Sequence, residues 1–182
     1  QQYGNGKLTK EELRDNRFRK ALAHHGIHDN QLAQQMSDGY IELSPQQTAL
    51  FPGAMEMLES LRAQDYSLHI ITNGFKEVQH IKLEKSGISR FFNVVLCSEE
   101  IGFTKPHREI FQEAQRLTKC KTEHAIMIGD DFKADIIGAL NAGWTAIHFD
   151  PEHRFKKERN VPRIRELSEI PELVNLLPIV AN

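Results

Sequence analysis

The chain has 182 residues, of which 40% are hydrophobic and 26% charged, and its formal net charge is −2. That length carries one core domain plus a small appendage. No basic stripe carries interleaved aromatics and no run is long or apolar enough to span a bilayer, so neither a nucleic-acid polymer nor a membrane is an expected partner. The two cysteines, Cys97 and Cys120, lack metal-like spacing and fit a reducing, cytoplasmic setting.

Residues 1 to about 44 are polar and helical in texture, with no strand-like run. Thr9 and Glu12 have capping-box spacing for a helix start. The chain runs almost directly from Gln1 into that start, which reads as the middle of a longer protein. Leu13, Phe18, Leu22 and Ile27 fall on one side of a first helix, and Leu32, Met36, Tyr40 and Leu43 recur at helical spacing in a second. Asp29 or Asn30 caps the second helix. The segment from Ser44-Pro45 to Phe51-Pro52-Gly53 reads as a hinge.

Beyond the hinge, strands and helices alternate. A helix over Ala54 to Arg62 is followed by a strand over Ser67 to Ile71 and a helix from about Phe75 to Lys85, stopped at Ser86-Gly87. Asn93 to Cys97 is a second strand, in which Cys97 reads as a buried, inert thiol. A helix opens near Pro106. Ala125 to Ile128 is a third strand, residues 132 to 142 form a helix ended by Gly143, Thr145 to Phe149 is a fourth strand, and Pro171 to Leu177 closes with a short helix. Near-continuous apolar strands between helices are the pattern of a parallel sheet covered on both faces. The expected fold is therefore α/β: residues 1–50 form a helical appendage and residues 51–182 a Rossmann-like, doubly wound parallel sheet.

Three motifs sit where short apolar runs give way to helices: Ile71-Thr72-Asn73-Gly74, Thr104-Lys105-Pro106, and Gly129-Asp130-Asp131-Phe132-Lys133-Ala134-Asp135. In an open α/β sheet such positions gather at the carboxyl edge of the strands, where ligands bind. The Thr72 hydroxyl and the backbone N–H groups of Asn73 and Gly74 make a phosphate cradle at a helix start; alternatively, Thr72 simply caps that helix. Lys105 supplies an ammonium for phosphate oxygens and a neighbouring carboxylate, or else is a solvated surface lysine. Asp130 is the first choice as a direct oxygen ligand for Mg2+, with Asp135 an indirect metal-site acid behind it, from the first helical turns, and Asp131 an alternative for either role. The competing reading places all three acids there for the helix dipole alone.

The order of these motifs resembles that of the haloacid dehalogenase superfamily, whose second motif is a Ser or Thr after a strand (Thr72), whose third is a Lys (Lys105) and whose fourth carries paired acids (Asp130 and Asp135). Ile71-Thr72-Asn73-Gly74-Phe75, Ser98-Glu99-Glu100-Ile101-Gly102 and Asn141-Ala142-Gly143 are most similar to its pyrimidine 5′-nucleotidase branch. The segment Tyr3 to Thr9 is similar to the middle of that branch's helical cap. The resemblance implies a Rossmann-like core with a small helical cap inserted after its first strand. It also implies Mg2+-dependent hydrolysis of a small phosphorylated substrate, such as a nucleoside monophosphate, through an aspartyl-phosphate. The nucleophile in that family is the first Asp of an Asp-x-Asp pair on a central strand, and this sequence has no counterpart. The expectation is an N-terminal truncation that removes that strand with the first half of the cap, leaving a chain inactive by itself and a sheet with two unpaired edges.

A phosphomutase would use the same core residues. A dehalogenase shares the fold but has no need of the paired acids. A non-catalytic phosphate- or partner-binding domain is the reading of another class. His24 and His28 have i, i+4 spacing but no third ligand nearby, so they read as surface histidines. Arg154, Lys156, Lys157 and Arg159 read as a solvated basic loop.

Overall fold

A computed structural model of the chain describes residues 10–153 and 161–177. The Tyr3–Thr9 segment, the Thr9 cap and the Arg154–Arg159 patch lie outside the described residues, as do the side chains of Glu12 and Leu13. The described chain forms two compact units. One contains the residues up to Ala49, Asn73–Ser89 and Cys97–Thr104; the other contains Leu50–Thr72, Arg90–Leu96 and the residues from Lys105 onwards.

In the first unit, α1 (Lys10–His24) packs against α2 (Asn30–Leu43). Asp29 caps α2, its Oδ1 accepting the Leu32 N–H at 2.9 Å. The buried positions of α2 are the small residues Ala33 and Ser37. Met36 and Tyr40, expected on a buried face, are each 40% exposed, and Leu43 is 61% exposed. Ile27 falls beyond the end of α1 and is also exposed. The Phe18 ring instead meets that of Tyr40, with centroids 6.0 Å apart. A 3₁₀ turn over Ser44–Gln46 buries Ser44 and Pro45 and packs against α4 (Lys76–Lys85).

The second unit carries the strands. They are β1 (Leu68–Thr72), β2 (Phe92–Cys97, whose last residue falls in the first unit), β3 (Ile126–Gly129), β4 (Thr145–Phe149) and β5 (Arg163–Ile164). β3, β4 and β5 form a parallel sheet in that order, with Ile128 opposite Ile147, Gly129 opposite His148 and Phe149 opposite Ile164. β1 and β2 pair in a separate two-stranded sheet. The fold is thus α/β with parallel strands, as expected, but the described strands lie in two sheets rather than one, because none of them pairs β1 with β3. Every residue of β1 is only half-buried, although Leu68, Ile70 and Ile71 are apolar. β5 was not foreseen: two residues are too short to show a periodicity.

The core of this unit is Leu61, Ile147, Phe149, Ile164, Ile170 and Val174, lined by Leu68, Ile126 and Ile128. α3 (Ala54–Ala63) and α7 (Ile170–Leu176) cover it together. Asn175 of α7 bridges Tyr66 and Gln64, accepting from Tyr66 Oη at 3.0 Å and donating to Gln64 Oε1 at 2.8 Å. α5 (Arg108–Thr118) starts two residues later than its proline suggests, because His107 is still extended at φ −61°, ψ 136°. The helix expected over 132–142 opens with π-helical turns over Phe132–Ile137 before continuing as α6 (Gly138–Asn141).

Candidate active site

Asp130 and Asp131 follow β3 directly, and Asp135 sits inside the π-helical turns. Asp131 is the N-cap of that segment: its Oδ1 accepts the N–H groups of Lys133 at 3.0 Å and Ala134 at 2.8 Å. Its carboxylate is therefore committed to the backbone donors that a helix start leaves without partners. Asp135 is 4% exposed. The Lys105 Nζ lies 2.6 Å from its Oδ1, and its Oδ2 accepts the Asp131 N–H at 3.1 Å. Asp130 and Asp131 are both exposed, and among the described residues only the Asp131 carboxylate of the two is engaged, by the backbone of the turn it caps.

Two glycines make the Lys105–Asp135 contact possible. A Cβ at Gly129 would overlap the Asp135 carboxylate, so only glycine lets the strand end come so close. A Cβ at Gly138 would lie 2.8 Å from Phe111 Cε2 and 2.9 Å from the Pro106 Cα. Gly138 follows Asp135 by three residues, at the start of α6. Its bare surface admits Pro106, and the residue before that proline is Lys105. The sequence thus brings the ammonium to the carboxylate through a packing contact one turn away. Both side chains are nearly out of water, at 11% and 6% exposure, where a charge depends on its partner.

Thr72 ends β1 in this same unit and is half-buried. Asn73 and Gly74 belong to the first unit and lead into α4. α4 begins four residues after Thr72 with no side-chain cap at its N-cap residue, Phe75, so Thr72 is not the cap of that helix. Its first amide is met from elsewhere in the first unit: the Lys76 N–H donates to Glu99 Oε1 at 2.9 Å. Beside it, Lys76 Nζ contacts Glu100 Oε1 at 2.6 Å, and Glu100 Oε2 accepts the Cys97 N–H at 3.1 Å. Burial pulls the Glu100 carboxyl upward, but the Lys76 ammonium and the Cys97 N–H outweigh it and hold it below the ordinary range. Cys97 is fully buried, as expected, and burial together with Glu100 and Glu99 pushes its thiol up to about 11.

Sequence reasoning missed this Glu99–Glu100 clamp, and nothing in the local pattern announces it. It also missed His148, which is 3% exposed on β4 with its Nε2 3.2 Å from the Asp130 carbonyl oxygen. The signal was available: an imidazole inside the otherwise apolar run Ala146-Ile147-His148-Phe149 must find a hydrogen bond. His24 and His28 are exposed, and among the described residues no three His, Cys, Asp or Glu side chains cluster to hold a metal by themselves. Magnesium needs no such cluster. It takes one or two carboxylates and keeps several waters, and the exposed Asp130 at the end of β3 is a hard-oxygen donor of the kind it takes.

The sequence profile of the haloacid dehalogenase-like hydrolases matches residues 1–149. The glyceraldehyde 3-phosphate phosphatase of Methanothermobacter thermautotrophicus is 38% identical over 68% of this chain and 58% of its own length. The pyrimidine 5′-nucleotidase YjjG of Escherichia coli K12 is 29% identical over 94% of this chain and 76% of its own. A magnesium-bound crystal form of the HAD-hydrolase YfnB of Bacillus subtilis superposes with a TM-score of 0.81, at 29% identity, over 96% of this chain and 76% of that one. The chain therefore spans little more than half of the first relative and about three quarters of the other two. Among the described residues no helix is long and apolar enough to cross a membrane. Profile, fold and the order of Thr72, Lys105 and Asp130 agree, and the chain belongs to the haloacid dehalogenase-like hydrolase family.

Proposed function

We propose that this chain forms the greater part of a Mg2+-dependent phosphatase acting on small phosphate monoesters, with pyrimidine nucleoside monophosphates as the favoured class. The observation that carries this reading is the division of labour among the acids: Asp131 caps, Asp135 is paired with Lys105, and Asp130 presents an exposed carboxylate. A dehalogenase, which handles no phosphate, gains nothing from that arrangement.

In this reading Asp130 is the direct Mg2+ ligand and Asp135 acts from behind it, holding Lys105. Bound Mg2+ would supply positive charge to the phosphate oxygens. The Lys105 ammonium, fixed by Asp135, adds a second positive charge where burial makes it count for more. The Thr72 hydroxyl, in the same unit as Lys105 and Asp130, holds a further phosphate oxygen. Residues 1–50 contribute helices of a cap domain, and the α/β core lies within residues 51–182. The attacking carboxylate is in none of the three motifs. The covalent step this reading implies is attack of a carboxylate oxygen on phosphorus with cleavage of the P–O ester bond, the leaving oxygen taking a proton, and water then hydrolysing the aspartyl-phosphate.

The choice of pyrimidine nucleotides rests on Ile71–Phe75, Ser98–Gly102 and Asn141–Gly143, and the relative named as a pyrimidine 5′-nucleotidase supports it. The relative named as a glyceraldehyde 3-phosphate phosphatase supports a triose phosphate instead. Phosphate release by the product of the whole reading frame containing these residues decides between them. UMP, dTMP, glyceraldehyde 3-phosphate and 2-chloropropionate are each offered with Mg2+. Turnover fastest on the pyrimidine nucleotides is the expected outcome. Preference for the triose phosphate would correct the substrate class, and halide release without phosphate release would overturn the reading.

A further inference from the structure

We infer that His148 is the positioning residue for Asp130, a role that rests on reading Asp130 as the Mg2+-binding carboxylate. β4 is a buried strand in which Ala146, Ile147 and Phe149 are apolar, and His148 is itself 3% exposed. Burying an imidazole there costs free energy unless its ring nitrogens are hydrogen-bonded. Register supplies the partner: His148 lies opposite Gly129, the last residue of β3, so its ring reaches the residue that follows the strand. Nε2 is 3.2 Å from the Asp130 carbonyl oxygen. A carbonyl has no proton to give, so Nε2 carries the hydrogen of this bond. The same ring meets Phe132 edge-on, with centroids 5.2 Å apart at 66°.

His148 therefore holds the main chain at Asp130 and the side chain at Phe132, on either side of Asp131. Asp131 is tied in turn by its cap bonds to Lys133 and Ala134. The backbone around Asp130 is fixed from three directions, and its exposed carboxylate is aimed by a residue on the next strand. His148 touches neither phosphate nor metal in this scheme and is not a catalytic residue. Its imidazole determines where the carboxylate points.

The test is calorimetric titration of Mg2+ alone into the whole reading-frame product and two variants. His148→Phe keeps a flat ring against Phe132 but loses the donor; one hydrogen bond of ordinary strength is worth about a five-fold loss of Mg2+ affinity. His148→Gln places an amide N–H near the position of Nε2 and is expected within about two-fold of wild type. A purely packing role predicts the opposite order, with Phe tolerated and Gln damaging. ¹⁵N NMR of the wild-type imidazole gives an answer that needs no variant, with Nε2–H expected. Equal Mg2+ affinity in His148→Phe, a Gln variant worse than Phe, or an Nδ1–H tautomer would each overturn the inference. A wild type that binds no Mg2+ would overturn the reading of Asp130 first and this inference with it.

Discussion

The Lys105 ammonium stands 2.6 Å from Asp135 Oδ1 with both side chains nearly out of water. A pair so placed is costly to break and cheap to replace as a whole, because the penalty falls on whichever charge is left alone. Lys105→Met and Asp135→Leu should each destabilise the protein by about 3–5 kcal/mol. The double variant Lys105→Met, Asp135→Leu should lose much less than the sum. Urea unfolding of the four proteins measures the coupling, and simple additivity would show that the two charges do not depend on each other.

Asp130 and Asp131 are neighbours in sequence with opposite expectations. Asp131→Ala removes a cap and should cost about 0.5–2 kcal/mol of stability. Asp130→Ala alters an exposed side chain and should shift stability by no more than about 0.5 kcal/mol. Magnesium affinity should fall sharply in the Asp130 variant and stay within a few-fold of wild type in the Asp131 variant. Melting curves and Mg2+ titrations on the same two samples separate the roles.

Gly129→Ala puts a methyl group where the Asp135 carboxylate lies. The clash is with a paired, buried group that cannot swing away, so overpacking of about 1–3 kcal/mol is expected, with loss of phosphate release. A variant that melts like wild type would mean that the strand end has more room than its geometry indicates.

The Cys97 thiol, raised to about 11 from an ordinary value near 9.0, makes a pH prediction. Below pH 9 it is protonated in both folded and unfolded chains and its contribution to stability is fully present. Between pH 9 and 11 the unfolded chain ionises first, so stability falls as pH rises through that window. In the native protein at pH 8, alkylation of Cys97 should be far slower than in urea, as read by mass spectrometry of the derived peptide.

The order of helices and strands was legible because apolar runs and glycine stops mark it, and Asp29 was legible as a cap because its chemistry is local. The start of α5 and the π-helical turns were not, since His107 stays extended after Pro106 and nothing in the apolar spacing of residues 132–137 separates π-helical from α-helical turns. Met36, Tyr40 and Leu43 followed helical spacing faithfully, yet spacing says which residues share a face and not whether that face is covered. Within the site, Lys105, Asp130 and Asp135 could be named from motif order. The bare surface of Gly138 that brings Lys105 to Asp135, and the cross-strand reach of His148, depend on register and packing that one sequence does not display.

The measurement closest to the central claim is Mg2+-dependent phosphate release from UMP by the whole reading-frame product and its Asp130→Asn variant. Wild-type release that disappears on chelation, with an Asp130→Asn protein that melts normally and releases at least about 100-fold less phosphate, is the predicted result, since one critical electrostatic group is worth about 10²–10³ in rate. Equal release by the two proteins, or undiminished release by the wild type after chelation, would contradict it.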